Sequence, residues 1–254
     1  MKNENLPALR YVLSAGRTGT VFLERLMNRQ FAGTVTAAHE PAETRYQMML
    51  GNLRNDWGLG GGLLKWLFER ARTARVDEAG GVYVEINPFL CAITDLLPQQ
   101  GRPLRVVHVV RDPASWARSI ATFKASDRYR AVIDWLPFAR PYPSPRPAGW
   151  RACSDYERAL WRWNWCNQRI HNLRAQTTSF ALVRYEDLFS QDEAVRAVAF
   201  QAISDCLDLP GLLEAGPADL NNKENPYAWV GQPGDRQAAG RICGVLARQC
   251  GYDY

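Results

Sequence analysis

A short apolar segment runs directly into a turn of small and hydroxyl-bearing residues, and an amphipathic segment follows. The stretch reads Tyr11-Val-Leu-Ser-Ala-Gly-Arg-Thr-Gly-Thr20. This order predicts a β-strand, a tight turn and a helix that begins near Thr18. Several backbone N–H groups of such a turn point at one place, where the positive end of the helix dipole also lies. We therefore expect an anion to bind at this turn.

The side chains of this turn favour a doubly charged anion over a carboxylate. Arg17 offers a planar guanidinium, and Thr18 and Thr20 offer hydroxyl donors on either side of Gly19. Guanidinium groups pair with phosphate oxygens through two parallel hydrogen bonds. Phosphate or phosphosulfate is the expected guest. A capped strand-to-helix turn with a solvated arginine is the alternative, because glycine-containing turns are common in α/β proteins.

The turn lacks the lysine that nucleoside triphosphatases use. Their loop ends in Gly-Lys followed by Ser or Thr, and the lysine reaches the β- and γ-phosphates. Here Gly19 is followed by Thr20 and Val21. Magnesium-dependent ATP chemistry is therefore disfavoured. A phosphotransferase that uses ATP is the rival enzyme hypothesis, and a catalytically silent nucleotide-binding protein is the third.

A second strand-to-helix junction lies between Leu104 and Ser119. A run of β-branched residues, typical of a buried parallel strand, stops at Arg111-Asp112-Pro113. Asp112 suits a helix N-cap, and Pro113 suits the first helical turn. Ser119 follows Arg111 by about two helical turns, so that one phosphate can contact both side chains. The alternative is an Arg–Asp surface pair with an unrelated serine.

The two motifs together resemble those of the sulfotransferases that use 3′-phosphoadenosine-5′-phosphosulfate (PAPS). In that family an arginine before [Ser/Thr]-Gly-Thr belongs to the loop that binds the 5′-phosphosulfate, and the Arg-Asp-Pro pattern with its serine binds the 3′-phosphate. The resemblance implies PAPS as the donor, with residues 17–20 at its 5′ end. It implies Arg111 and Ser119 at the 3′-phosphate.

Two C-terminal regions extend the resemblance. The run Tyr-Glu-Asp-Leu begins at Tyr185, and the tyrosine of this run commonly helps to bind the nucleotide in the family. The alternative for Tyr185 is packing at a strand end. Segments 222–231 and 251–254 resemble the tyrosylprotein sulfotransferases. Ala228 stands where those enzymes have a lysine that contacts the nucleotide.

Three candidate bases follow the expected second strand: His39, Glu40 and Glu43. Open α/β sheets bind ligands at the carboxyl ends of their strands. In the family a glutamate in this loop, within Glu-Pro or Glu-Thr-Arg, takes the acceptor proton, which implies Glu40 first and Glu43 second. His39 is a third candidate because imidazole titrates near neutral pH. The acids can instead stabilise the N-terminus of the next helix.

Sulfuryl transfer needs positioning and charge stabilisation more than covalent chemistry. The resemblance therefore also gives Arg17 a catalytic role, stabilising the leaving phosphate. The sequence departs from the family after the third strand, where a lysine near the transferred group is replaced by Ile86 and Asn87. Either the Asn87 amide donates a neutral hydrogen bond there, or a cation such as Arg45 or Lys124 takes the place of the lysine.

The apolar runs predict an α/β fold with three layers, αβα, around a parallel sheet of roughly five strands. The expected strands are 9–14, 34–38, 82–86, 105–110 and 179–184. Long helical intervals between them indicate right-handed βαβ units. We expect one sulfotransferase domain over residues 1–254. The proline-, aromatic- and arginine-rich stretch 126–150 is expected to cover the acceptor, or else to be a surface insertion.

Charge and cysteine content narrow the class of protein. The formal net charge of +5 is too diffuse to predict nucleic-acid binding. The six cysteines have no metal-ligand spacing, so no metal is expected. The sequence lacks a signal-peptide core and a run of about 20 apolar residues, which favours a cytoplasmic, bacterial enzyme without a membrane span. A hydroxyl-bearing acceptor is expected, and its identity and the oligomeric state are not predicted.

Overall fold

Five parallel strands form the sheet around which the chain folds. The structure is a computed structural model that describes residues 6–121, 140–216, 219–220 and 234–254. The strands are β1 (Leu9–Leu13), β2 (Val35–His39), β3 (Val82–Ile86), β4 (Leu104–Val110) and β5 (Ser179–Arg184). Their order is β2-β3-β1-β4-β5, and all neighbouring pairs are parallel. The sequence-based prediction of the sheet is confirmed to within one residue at each strand end.

Helices cover both faces of the sheet. They are α1 (Thr20–Gln30), α2 (Thr44–Trp57), α3 (Gly61–Glu78), α4 (Pro113–Ala121), α5 (Asp155–His171), α6 (Tyr185–Leu188), α7 (Glu193–Leu207) and α8 (Asp235–Gln249). Short 3-10 helices span Pro88–Leu96, Pro98–Gln100, Trp150–Ala152 and Asn172–Gln176. One apolar core lies between the sheet and α1 and α7, and the other lies under α2 to α5 and α8. The predicted αβα layering is confirmed.

The strand order creates a crevice at the carboxyl ends of β1 and β4. These two strands are neighbours, with Leu13 opposite His108. The helices that follow them lie on opposite faces, because α1 contributes to one core and α4 to the other. In open α/β sheets, ligands bind where neighbouring connections diverge in this way. The fold thus brings the turn after β1 and the turn after β4 to a shared opening.

A buried ion pair fixes α3 to the sheet. Arg72 and Glu85 are both fully buried, and the guanidinium of Arg72 donates two hydrogen bonds to the carboxylate, at 3.1 and 2.7 Å. Arg72 also donates to the Gln47 side-chain oxygen. Both charges have lost their hydration, so each depends on the other for compensation. The pair thereby determines how α3 lies against β3.

We expect Arg72→Met to lower the free energy of unfolding by about 3–5 kcal/mol, because it leaves the Glu85 carboxylate buried without its counter-ion. Urea unfolding measures this loss. Lys65→Met is the control, because the Lys65–Glu69 pair is half exposed and such a pair contributes only about 0–1 kcal/mol. Equal stability of the two variants would contradict the role given to the buried pair.

Candidate functional site

The turn after β1 has an unusual backbone. Gly16, Arg17 and Gly19 have positive φ values of 87°, 57° and 74°, and α1 begins directly afterwards at Thr20. A residue other than glycine in the left-handed region costs on the order of 1–3 kcal/mol, and such residues cluster at functional sites. The conformation of Arg17 must therefore be maintained by contacts from the rest of the fold.

Three hydrogen bonds supply those contacts. The Gly16 N–H donates to the hydroxyl oxygen of Ser14 at 3.0 Å. The indole N–H of Trp116, on α4, donates to the Gly16 carbonyl at 2.6 Å. The Arg111 guanidinium donates to the Arg17 carbonyl at 3.3 Å. Two of the three donors come from the segment after β4, so this segment holds the turn after β1 in place.

The Thr18 hydroxyl of the turn suits a bound anion, and Gly19 is required by the packing of the turn. The Thr18 side chain is 1% exposed, and its hydroxyl has no hydrogen-bond partner among the described residues. Buried hydroxyls are normally paired, so this one is a donor that a ligand oxygen would satisfy. A Cβ at Gly19 would lie 2.8 Å from the Phe189 ring. Glycine is therefore required where the turn enters α1.

The turn after β4 places Arg111 beside the first turn. Asp112 caps α4, its Oδ1 accepting from the Ser115 N–H at 2.8 Å. The Nε of Arg111 donates to the Ser115 hydroxyl at 3.2 Å. The Arg111 guanidinium carbon lies 4.6 Å from the centre of the Tyr185 ring. Ser119 is half-buried on α4, two helical turns beyond Arg111. The structure thus brings Arg17, Arg111 and Tyr185 together.

His39 connects the candidate bases to the turn after β1. It is the last residue of β2, and its Nε2 lies 3.0 Å from the Thr20 hydroxyl oxygen. Burial lowers the pKa of His39. The imidazole is therefore neutral at neutral pH, and its ring is held by the first residue of α1.

Glu40 occupies a strained and partly desolvated position. Its φ is 45°, and its N–H donates to the Ile86 carbonyl at 3.1 Å. Its carboxylate lies 3.7 Å from the His39 Nε2. Burial raises the pKa of Glu40, and the positive charge of Arg45 opposes the shift. A carboxylate with a raised pKa is a better proton acceptor than an exposed one.

Glu43 is used differently. Its side chain is nearly buried, and it forms an ion pair with Arg75 of α3. Glu43 stands immediately before α2. This is the position at which an acidic side chain stabilises the N-terminus of a helix, the alternative role given to these acids in the sequence analysis. Among the three candidate bases, Glu43 is the one that forms an ion pair with an arginine, and it helps to join α2 to α3.

Asn87 is committed to the fold. It is fully buried, and its side-chain nitrogen donates to the Thr44 hydroxyl at 3.0 Å and to Glu85 at 2.7 Å. Its Oδ1 accepts from the Phe89 N–H at 3.1 Å. Both amide hydrogens are thus used. A hydrogen bond from Asn87 to a ligand would require one of these bonds to break, and Lys124, the other candidate cation besides Arg45, lies outside the described residues.

The predicted acceptor-covering loop is described only in part. Residues 126–139, and the segment 222–231 with its resemblance to tyrosylprotein sulfotransferases, lie outside the described residues. Residues 140–150 lie alongside α2, and the Tyr142 hydroxyl donates a hydrogen bond to Asp56 of that helix at 3.1 Å. A cavity at the far end of α4 is lined by Ile120, Ala121, Arg140, Tyr142, Trp150, Asp155, Arg158, Ala159 and Arg162. Arg17, Glu40 and Arg111 are not among its lining residues.

Two site residues were not predicted from the sequence. Trp116 holds the Gly16 carbonyl and Ser115 accepts from Arg111. The sequence does contain a signal for Ser115. It lies three residues after the N-cap residue Asp112, at the position whose backbone N–H donates to the capping side chain. Trp116 gives no such signal, since an aromatic residue on the buried side of a helix usually only packs.

Within the described residues, no group of three or more His, Cys, Asp and Glu side chains is arranged to hold a metal ion. None of the helices in the same residues has the length and apolar character that crossing a membrane requires. The site as described consists of arginines, hydroxyls, an imidazole and a carboxylate.

Comparison with known proteins supports the fold. No family model matches the sequence, and neither does any curated protein. The solved structure of a sulfotransferase domain from the curacin biosynthetic pathway is 16% identical, with a TM-score of 0.54 over 98% of this chain and 99% of that chain. A structure from the PezAT toxin–antitoxin system of Streptococcus pneumoniae is 10% identical over 96% of this chain and 89% of that chain, and its TM-score of 0.35 carries no weight. The chain has the fold of a sulfotransferase domain.

The raised pKa of Glu40 predicts a pH-dependent stability effect. Because burial disfavours the charged form, the folded protein binds this proton more tightly than the unfolded chain does. The folded protein is not destabilised by this group at a pH below the ordinary glutamate pKa. The destabilisation develops as the pH rises through the pKa that Glu40 has in the folded protein. Glu40→Gln should therefore raise the melting temperature at about pH 7 and leave it nearly unchanged at about pH 3.5.

Thermal unfolding at both pH values measures this difference. Glu69→Gln is the matched control, since the Glu69 carboxylate lies 38% exposed on α3. We expect no pH-dependent gain for it. A melting-temperature change for Glu40→Gln that is the same at both pH values would contradict the desolvation of this carboxylate.

Proposed function

We propose that the protein is a PAPS-dependent sulfotransferase that acts on a hydroxyl acceptor, with residues 1–254 forming one domain. The observation that carries the proposal is the contact between the two anion-binding turns, where the Arg111 guanidinium donates to the Arg17 carbonyl. One nucleotide with phosphate groups at both its 5′ and 3′ positions suits two adjoining turns of this kind. The fold of a sulfotransferase domain agrees with this assignment.

The donor would be held by the side chains at the two turns. Arg17, the Thr18 hydroxyl and the amides that begin α1 would bind the 5′-phosphosulfate. Arg111 and Ser119 would bind the 3′-phosphate, and Tyr185 would contact the nucleotide beside Arg111. When bound, the donor supplies an activated sulfuryl group and a leaving phosphate. The fixed charge of Arg17 would stabilise the negative charge that develops on that phosphate.

Glu40 is the residue that we assign as the base. In the proposed reaction the acceptor oxygen would form a bond to sulfur while the bond between sulfur and the phosphate oxygen breaks, and Glu40 would accept the proton of the acceptor hydroxyl. Its raised pKa favours this transfer. Glu43 is paired with Arg75, and the His39 Nε2 is engaged with Thr20.

Nucleotide binding distinguishes this proposal from an ATP-dependent phosphotransferase. We expect 3′,5′-adenosine bisphosphate to bind about 10- to 100-fold more tightly than AMP, because Arg111 adds a charge-assisted contact to the 3′-phosphate. Calorimetric titration with EDTA present measures this ratio, and magnesium should not change it. The sulfate-labelled donor should also transfer its label to a panel of phenols, sugars and tyrosine peptides. Magnesium-dependent turnover of ATP, with no preference for the bisphosphate, would overturn the proposal.

The choice of base is tested by two matched variants. Glu40→Gln should lower kcat by about 10²–10⁴-fold, the contribution typical of general base catalysis, with the affinity for adenosine bisphosphate nearly unchanged. Glu43→Gln should affect stability more than kcat, because it breaks the ion pair with Arg75. A fully active Glu40→Gln variant would exclude Glu40 as the base, and a similar loss for Glu43→Gln alone would transfer the role to Glu43.

A further inference from the structure

The C-terminal residues 251–254 lie against the turn after β4. The Tyr254 hydroxyl donates to the Oδ2 of Asp112, and the Ala114 N–H approaches the same hydroxyl oxygen at 3.4 Å. Asp112 therefore accepts from Tyr254 with one carboxylate oxygen and from the Ser115 N–H with the other. The last residue of the chain thus fixes the side chain that caps α4.

Tyr252 fixes the backbone of the same turn through Glu186. The Tyr252 hydroxyl lies 2.7 Å from one carboxylate oxygen of Glu186, and the other oxygen accepts from the Asp112 N–H at 3.0 Å. Tyr252 is nearly buried, with 8% of its surface exposed. The side chain and the backbone N–H of Asp112 are therefore held by two different tyrosines, one of them acting through a glutamate.

The two hydroxyls are reliable donors. Burial is the largest cause that raises the pKa of Tyr252, and the Glu186 charge adds to it. Burial also raises the pKa of Tyr254, and its hydrogen bond to Asp112 acts in the same direction. Both side chains therefore keep their protons throughout the neutral range and donate to the carboxylates that they face.

Separate contacts anchor the tail on the fold. Arg184, at the end of β5, donates to the Gly251 carbonyl at 3.1 Å, and its guanidinium lies 5.1 Å from the centre of the Tyr252 ring. The Tyr252 N–H donates to the Ala247 carbonyl at 3.0 Å. The Arg236 guanidinium lies 4.8 Å from the Tyr254 ring. Replacing a hydroxyl would leave these ring and backbone contacts in place.

A short chain of hydrogen bonds leads from the tail to Arg111. Tyr254 holds Asp112, Asp112 holds the Ser115 N–H, and the Ser115 hydroxyl accepts from the Arg111 Nε. Arg111 also directly precedes Asp112 in the chain. Loss of a tyrosine hydroxyl would free the Asp112 carboxylate or its backbone to rotate. The guanidinium would then be held only by its contacts with the Arg17 carbonyl and the Tyr185 ring, and its direction would be less fixed.

We propose that Tyr252 and Tyr254 are positioning residues that aim Arg111 at the 3′-phosphate of the bound nucleotide. This inference rests on the proposed function, since it takes Arg111 as the ligand of that phosphate. It gives residues outside the two turns a role in nucleotide binding. It also makes the selectivity for a 3′-phosphate, rather than nucleotide binding in general, depend on Tyr252 and Tyr254.

The test uses Tyr252→Phe and Tyr254→Phe, which remove only the hydroxyls. We expect each to weaken the binding of 3′,5′-adenosine bisphosphate by roughly tenfold, the loss that corresponds to about one charge-assisted hydrogen bond, and to change AMP binding by less than about twofold. Calorimetric titration of both nucleotides measures the ratio. Tyr142→Phe is the control, because the Tyr142 hydroxyl also donates to a carboxylate, that of Asp56. It should leave the ratio unchanged.

Arg111→Ala separates failure of this inference from failure of the proposed function. If Arg111→Ala removes the preference for the bisphosphate while both phenylalanine variants keep it, the positioning role is wrong and the proposed function stands. An unchanged preference in Arg111→Ala would overturn the assignment of Arg111 to the 3′-phosphate and this inference with it, whereas the absence of any such preference in the unaltered protein would overturn the proposed function. Equal weakening of both nucleotides in the tyrosine variants, with a lower melting temperature, would indicate a general structural role and also overturn the inference.

Discussion

Two hydrogen bonds join the turn after β1 to the segment after β4, and the candidate site depends on them. Trp116 donates to the Gly16 carbonyl and Arg111 donates to the Arg17 carbonyl. Both acceptors belong to residues with positive φ, and for Arg17, which has a side chain, this conformation is unfavourable unless neighbouring groups maintain it. Because β1 and β4 are adjacent and parallel, their ends meet at one edge of the sheet. The two turns therefore form a single unit, and a displacement of one would disturb the other.

The acidic side chains near the strand ends differ in their roles: two of them stabilise the fold, and one is the candidate base. Glu85 is neutralised by Arg72, and Glu43 pairs with Arg75, so that both carboxylates hold α3 in place. In the part of the chain that the structure describes, Glu40 has no such ion pair with an arginine of α3, and burial raises its pKa. The backbone of Glu40 is strained, and the charge of its carboxylate is only partly compensated. Both features cost stability, and such features occur preferentially at functional sites.

The sequence predicted the sheet and the residue types at its edge, because strand periodicity and turn composition are local properties. All five strands, and the turns that carry Arg17 and Arg111, follow from patterns of neighbouring residues. The partners of buried polar groups could not be predicted in the same way. Asn87 donates to Thr44, 43 residues earlier in the chain, and Tyr254 donates to Asp112, 142 residues earlier. Such pairings depend on how helices pack, which no local pattern encodes.

The strand order also indicates the side from which the acceptor would approach in the proposed reaction. An in-line displacement needs the acceptor and the leaving phosphate on opposite sides of the sulfur atom. In the order β2-β3-β1-β4-β5, the turn with Arg17 follows the central strand, Arg111 follows its neighbour on one side, and Glu40 follows β2 on the other. Strands lie about 4.8 Å apart, so β2 is roughly 10 Å from β1. In the proposed reaction an acceptor hydroxyl that reaches Glu40 would approach from the β2 side, and the nucleotide would lie toward β4. The hydrogen bond between His39 and Thr20 connects the end of β2 to the turn after β1. It would keep Glu40, the residue next to His39, at a fixed distance from that turn.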